Sequence, residues 1–272
     1  MPRADRALDW LWLPLVLVFL VPVVLVVGSK EPSGGVGGAA GPLLSGRAAL
    51  DSVIDASRGR PLLVNLWATW CTPCVGELPH LAEVRDSLYP AAEVVAVSVG
   101  DPDPEPVRRL HSQAGLSLPV VWLDRREAEA LLARWDVPDV LPVTIAFGAH
   151  GAETARVAGA RGTDDFLAMA SGMVPAEDSA SEGGHAGLHV NVVGPAGDPA
   201  TGELLLEAER LAGREAVDLY DPGVPEDSAA IDSLMLPRMD VPYAQPCVGS
   251  ACGRPVTSPE LLAEAAAALS GS

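Results

Sequence analysis

Basic residues are scarce in this chain of 272 residues: 18 Lys and Arg stand against 36 Asp and Glu, for a formal net charge of −18, and lysine is nearly absent. No cluster or stripe of Lys and Arg occurs, so the electrostatic footprint of a nucleic-acid-binding protein is missing. The acidity accounts for solubility through self-repulsion and names no substrate. Histidine is sparse too, and His80, His111, His150, His185 and His189 show no ligand spacing. No metal or other cofactor is expected. The acidic, proline-rich run Asp101–Pro106 lacks a calcium-loop pattern and reads as a solvated loop. Cysteine occurs four times, as Cys71, Cys74, Cys247 and Cys252. A zinc site would have to join the first pair to the distant second, whose wider spacing is not a usual ligand pattern.

What the chain does have is apolar surface to bury, 49% of its residues. Residues 10–27 form an uncharged run preceded by Arg3, Asp5, Arg6 and Asp9. At a rise of ~1.5 Å per residue the run spans about 27 Å, close to a hydrocarbon core. It is read as a transmembrane anchor, Pro14 and Pro22 notwithstanding. The alternative is a cleaved signal peptide with a small-residue site at Gly38-Ala39-Ala40. No cysteine follows the run to carry a lipid. Arg3 and Arg6 against Lys30 put the N-terminus in the cytoplasm, a weak positive-inside bias, and everything after residue 30 outside.

The expected organisation is a cytoplasmic N-terminus (1–9), the anchor (10–27), a Gly-rich tether (28–42), an α/β domain (43–174), a polar linker (175–187) and a small C-terminal α/β domain (188–272). In the first domain, short apolar runs at 61–67, 93–99, 118–123 and 143–147 read as strands, the last with a hairpin partner at 153–158. Amphipathic stretches at 73–88, 105–114, 126–135 and 164–171 read as helices. Alternation of this kind, ending in a hairpin and a helix, builds a sheet covered on both faces. The C-terminal domain reads as strand 188–193, helix 201–212, strand 216–220, a hairpin from 243–248 and 252–256, and helix 259–269. This is the order of the first domain in reduced form.

The chemistry sits at Trp67-Ala68-Thr69-Trp70-Cys71-Thr72-Pro73-Cys74, where a strand ends and a helix begins. Two cysteines two residues apart can form and break a disulfide. Unpaired backbone N–H groups and the helix dipole stabilise a thiolate on Cys71. Cys71 is therefore the expected nucleophile and Cys74, one turn further in, the resolving thiol. Pro73 fits the first turn, where no amide hydrogen is needed.

The run from Trp67 through Cys74 to Val75-Gly76-Glu77-Leu78-Pro79 resembles the signature of the TlpA/ResA/DsbE branch of the thioredoxin superfamily, over roughly residues 43–172. The resemblance implies a thioredoxin fold, an extracytoplasmic membrane-tethered location and thiol–disulfide exchange with protein clients. It also implies electrons from a transmembrane thiol donor and a role such as keeping cytochrome c apoprotein thiols reduced. By position it implies a cis Pro142 facing the dithiol, with the backbone of Leu141 pairing an incoming peptide, the alternative being an ordinary trans proline that opens a strand. Asp139-Val140-Leu141 departs from the family's usual run there. Glu77, one turn beyond Cys74, is implied to tune proton uptake, the alternative being a solvated surface carboxylate. Trp70 is expected to shape the docking surface.

Two other functions stay open. Thiol peroxidases share the fold, but their signature has threonine three residues before the reactive cysteine, where this chain has Ala68. A client-holding role for the C-terminal domain is the other. Cys247 and Cys252, across an expected hairpin, read as a structural disulfide, the alternative being a second redox pair.

Overall fold

The computed structural model describes residues 41–173 and 185–270. The expected anchor at 10–27, the tether up to residue 40 and linker residues 175–184 lie outside the described residues. Among the described residues no helix is long and apolar enough to cross a membrane.

The first sheet has six strands in the order β1 (Leu43–Ser45), β4 (Val120–Trp122), β3 (Glu93–Ser98), β2 (Leu62–Trp67), β6 (Val143–Phe147) and β7 (Glu153–Ala158). The first four run parallel, while β6 and β7 are antiparallel to their neighbours. β2 and β3 are buried along their whole length, which is why they read as continuous apolar runs rather than alternating ones. Helices α1 (Arg47–Ala56), α2 (Thr72–Leu88), α3 (Pro104–Ala114), α4 (Arg125–Trp135) and α5 (Thr163–Ala170) accompany the sheet. Local chemistry sets their ends. Asp103 and Asp124 cap α3 and α4, the latter in a reciprocal capping box with Glu127, and Gly115 closes α3 in the left-handed region. The arrangement is a thioredoxin-like α/β fold around a core of Leu63, Leu66, Trp67, Leu78, Leu81, Val95, Val121, Ile145 and Phe166.

The second sheet runs β5 (Val140–Leu141), β11 (Ala251–Gly253), β10 (Tyr243–Gly249), β8 (His185–Val193), β9 (Val217–Tyr220). β8 and β9 are parallel, and β10 and β11 fold back antiparallel. With α6 (Pro199–Ala212), α7 (Pro225–Ser233) and α8 (Pro259–Ser270), its order β9-β8-β10-β11 repeats β3-β2-β6-β7 of the first sheet in both sequence and direction. Leu204, Ala208, Leu262, Val190, Val192 and Ala244 form a core on one face. Ile231, Leu236, Val193 and Tyr243 form a second on the other. β5 belongs to the first domain's chain but is completed only by β11, so the two sheets meet there.

Several elements differ from the sequence reading. β8 begins at His185, inside the expected linker, because its start pairs with Gly249 across a register shift that leaves residues 186 and 187 of β8 unpaired. The second arm of the hairpin is only Ala251–Gly253, and Val256 adds a lone bridge to Ala244. β1 and α1 were not legible: β1 is a three-residue edge held by β4, and α1 follows Gly46, which offers no side-chain cap. α7 lay in what reads as a proline-rich crossing, and it too lacks a side-chain cap. Among the described residues the cis peptide bonds are Tyr89–Pro90 and Leu141–Pro142, so Pro242 matches Pro142 in position but not in conformation.

The small core of the second module makes it sensitive to cavities. Leu204→Ala is expected to cost about 2–5 kcal/mol, read as a lower urea midpoint in equilibrium unfolding. An unchanged midpoint would show that this core carries little of the module's stability.

Candidate active site at the end of the central strand

Trp67 is the last residue of β2, and four residues later Cys71 caps α2 with extended backbone (φ −95°, ψ 98°). The Cys71 sulfur accepts from the Cys74 amide at 3.3 Å, so it occupies the place where an N-cap oxygen usually serves the first turn. Pro73 stands in that turn. Cys71 and Cys74 are joined as a disulfide with Cα atoms 5.2 Å apart, and both are fully buried.

The loop into Cys71 is held from the side by Asp101, the residue sequence reasoning had placed in a solvated loop. Asp101 is buried. Its carboxylate accepts from the Thr69 amide at 3.0 Å, from the Thr69 hydroxyl and from the Ser98 hydroxyl at 2.7 Å. Burial pushes its pKa up, and the Thr69 and Ser98 hydrogen bonds oppose the rise. Trp70 packs down rather than out, donating from Nε1 to the Gly100 carbonyl at 3.0 Å. A side chain at Gly100 would stand 2.7 Å from the Ala68 Cβ and 2.8 Å from the Trp70 ring. The Gly100-Asp101 corner and the Cys71 loop are thus fitted to each other.

Glu77 lies one turn after Cys74, on the neighbouring face of α2, and it is buried, not solvated. It accepts from Asn65 Nδ2 at 2.6 Å and from the Arg161 amide at 3.0 Å. Burial raises its pKa to about 8, against the pull of the Arg161 amide, the Asn65 amide and the Arg161 charge. Asn65 also donates to the Thr144 hydroxyl at 2.9 Å, its register partner on β6. Asn65, Thr144 and Arg161 were missed in the sequence. Asn65 interrupts an apolar strand run, which was the available signal.

Pro142 follows Leu141 through the cis bond and precedes β6, whose Val143 pairs with Leu66. That register sets Pro142 beside the end of β2, where the Cys71 loop starts. Leu141 is buried and its strand neighbour is Cys252. Cys247 and Cys252, far away in sequence, face each other across β10 and β11 and are bonded. The structure therefore gathers Cys71, Cys74, Glu77, Trp70, Leu141, Pro142 and Cys252 around one end of the first sheet. Leu234 joins them, because the Thr72 hydroxyl donates to its carbonyl.

The Glu77 environment has a measurable consequence. Below about pH 4 the carboxyl is neutral whether the chain is folded or not. Above the unfolded value, and up to about pH 8, the folded chain holds a proton that the unfolded chain has lost. The raised pKa thus supplies stability that is complete at low pH and is lost as pH climbs through 8. Urea unfolding at pH 5, 6.5 and 8 should show a decline in wild type that Glu77→Gln lacks. Parallel declines in the two proteins would contradict the assignment.

Residues 48–151 match the AhpC/TSA family. Among curated proteins, the chain is 37% identical over 75 residues to thiol-disulfide oxidoreductase ResA of Geobacillus thermodenitrificans, covering 26% of this chain and 40% of that protein. It is 32% identical over 95 residues to ResA of Bacillus subtilis, covering 35% of this chain and 50% of that protein. The chain therefore spans half or less of the length of these relatives. Among solved structures, a secreted Mycobacterium tuberculosis disulfide oxidoreductase homologous to Escherichia coli DsbE is 22% identical, with a TM-score of 0.38 over 44% of this chain and 86% of that one. The chain carries a thioredoxin-like domain, with its Cys-x-x-Cys pair, that is similar to the ResA thiol–disulfide oxidoreductases.

Proposed function

We propose that this protein is a thiol–disulfide oxidoreductase that exchanges disulfides with protein clients outside the cytoplasm. The observation that carries the reading is the Cys71 sulfur at the cap of α2, accepting from the Cys74 amide. A sulfur in that position is favoured as a thiolate by the unpaired amides and the dipole of the helix. Cys71 attacks a client disulfide, forming a Cys71–client bond and releasing one client thiolate. Cys74 then attacks Cys71, restoring the Cys71–Cys74 disulfide and releasing the second client thiolate. Run in reverse, the same steps oxidise a client.

Glu77 supports the reading as a buried proton store one turn from Cys74. Neutral at pH 7, it adds no negative charge to oppose ionisation of the thiols. Leu141 and Pro142 form an edge of the kind on which an extended client segment pairs, an edge that β11 of this chain occupies, and Trp70 sets the neighbouring wall. The membrane anchor at 10–27 rests on its length and lack of charge, and it places the dithiol in an oxidising compartment. Reduction of clients there needs electrons from a transmembrane thiol donor, and cytochrome c maturation is the client pathway we favour. The repeated strand order of the second module supports a degenerate thioredoxin-like domain that has lost its own helix-start cysteines.

The test is dithiothreitol-driven reduction of insulin. Wild type should accelerate it, and Cys71→Ser should return it to the uncatalysed rate. Cys74→Ala should leave a client covalently held on Cys71. No acceleration by wild type would overturn the proposal. The peroxidase alternative meets buried Ala68 where its signature has threonine, so peroxide consumption should stay at the uncatalysed rate.

A further inference from the structure

The edge that receives a client segment is already taken. Leu141, the residue before Pro142, pairs antiparallel with Cys252, and Val140 pairs with Gly253. The occupant is this chain's own β11, and the residue set against Leu141 is a cysteine in a disulfide with Cys247. Paired residues in adjacent strands project to the same face of a sheet, so Leu141, Cys252 and Cys247 share one face. Tyr243 and Val193 lie on that face as well, since they pair in register two positions from Gln245 and four from Cys247. Ile231 and Leu236 cover them. The segment between those two residues contains Leu234, whose carbonyl takes the hydroxyl proton of Thr72, next to Cys71. The disulfide of the second module thus faces the side on which that module touches the Cys71 turn.

The seat is built from several directions. Arg254 pairs with Asp139 and reaches the Val99 carbonyl at 3.5 Å. The Ser250 hydroxyl accepts from the Ala160 amide at 2.9 Å, and a side chain at Gly159 would meet that hydroxyl at 2.9 Å. Gly159 holds φ at +82° and donates to the Pro142 carbonyl at 2.9 Å. On the other face of β10 and β11, Leu188, Val248 and Ala251 pack on the first domain's core. Neither active-site cysteine is exposed, while Cys247 is only half-buried.

We propose that Cys247–Cys252 is a second redox-active disulfide that exchanges electrons with Cys71–Cys74 inside the chain, so that the second module is a permanently seated client and relay. This rests on the oxidoreductase reading above. After an external dithiol has reduced the first pair, the Cys71 thiolate attacks Cys252 Sγ. The Cys71–Cys252 bond forms, the Cys247–Cys252 bond breaks, and Cys247 leaves as a thiolate and takes a proton. Cys74, as thiolate, then attacks Cys71 Sγ, and Cys252 leaves and is protonated. Two electrons and two protons have moved, the first pair is a disulfide again, and the second is a dithiol with its half-buried member towards solvent.

Two measurements on the full chain test this. The first uses Cys74→Ser/Cys247→Ser, which leaves Cys71 and Cys252 free, oxidised with diamide and mapped by non-reducing peptide mass spectrometry. An intramolecular Cys71–Cys252 disulfide is expected. The second follows reduction of Cys247–Cys252 by limiting dithiothreitol, with the thiols alkylated and mapped over time. Cys71→Ser should slow it at least tenfold relative to wild type. The proposal is overturned if no Cys71–Cys252 bond forms, or if Cys247–Cys252 is reduced at the same rate with and without Cys71. Insulin reduction by wild type separates the two levels. Catalysis with Cys247–Cys252 oxidised throughout would sink the relay alone, and no catalysis would sink the oxidoreductase reading beneath it.

Discussion

A helix that begins where a buried strand ends leaves its first amides without partners, and here the atom that meets them is the Cys71 sulfur. That single capping contact links fold to chemistry. β2 must be fully buried for the turn to be fixed at the end of the sheet, and α2 must start within a few residues for its amides to reach the sulfur. Asp101 and Gly100 restrain the turn from the neighbouring β3 loop, so the cap geometry is imposed from outside the Cys-x-x-Cys run as well as within it.

Around this cap the protein places buried carboxyl groups whose pKa burial raises. Glu77 is kept protonated up to about pH 8 by burial, and burial also raises the pKa of Asp101. An ionised carboxylate beside a thiol would disfavour the thiolate, whereas a neutral one can store or release a proton as the pair changes oxidation state. The Arg161 amide and Asn65 satisfy the Glu77 oxygens, which makes a buried carboxyl tolerable at this position. The second module reaches the Thr72 hydroxyl through the Leu234 carbonyl, and its own disulfide lies in the strand paired beside Leu141, next to Pro142.

Much of the first domain could be read from its residues because its local signals agree. The apolar runs at β2 and β3, the amphipathic stretches of α3 and α4 and the turn before β7 all announce themselves. The Cys-x-x-Cys pair did so most clearly. What was hidden depends on contacts distant in sequence. β1 exists because β4 pairs with it, α1 and α7 start without side-chain caps, and Asp101 looks like a loop acid until Thr69 and Ser98 are brought to it. The pairing of Cys252 with Leu141 is the extreme case, since nothing near either residue in sequence indicates that two separate sheets meet there.

The most direct test of the central claim is the ionisation of Cys71 in the reduced protein. Ultraviolet thiolate absorbance should be followed against pH in a Cys247→Ala/Cys252→Ala background and compared with the same protein carrying Cys71→Ser. The account predicts one thiol ionising below the ordinary cysteine value of about 8.5, and that this step vanishes with Cys71→Ser. A low step that persists without Cys71, or no step below the ordinary value, would contradict it.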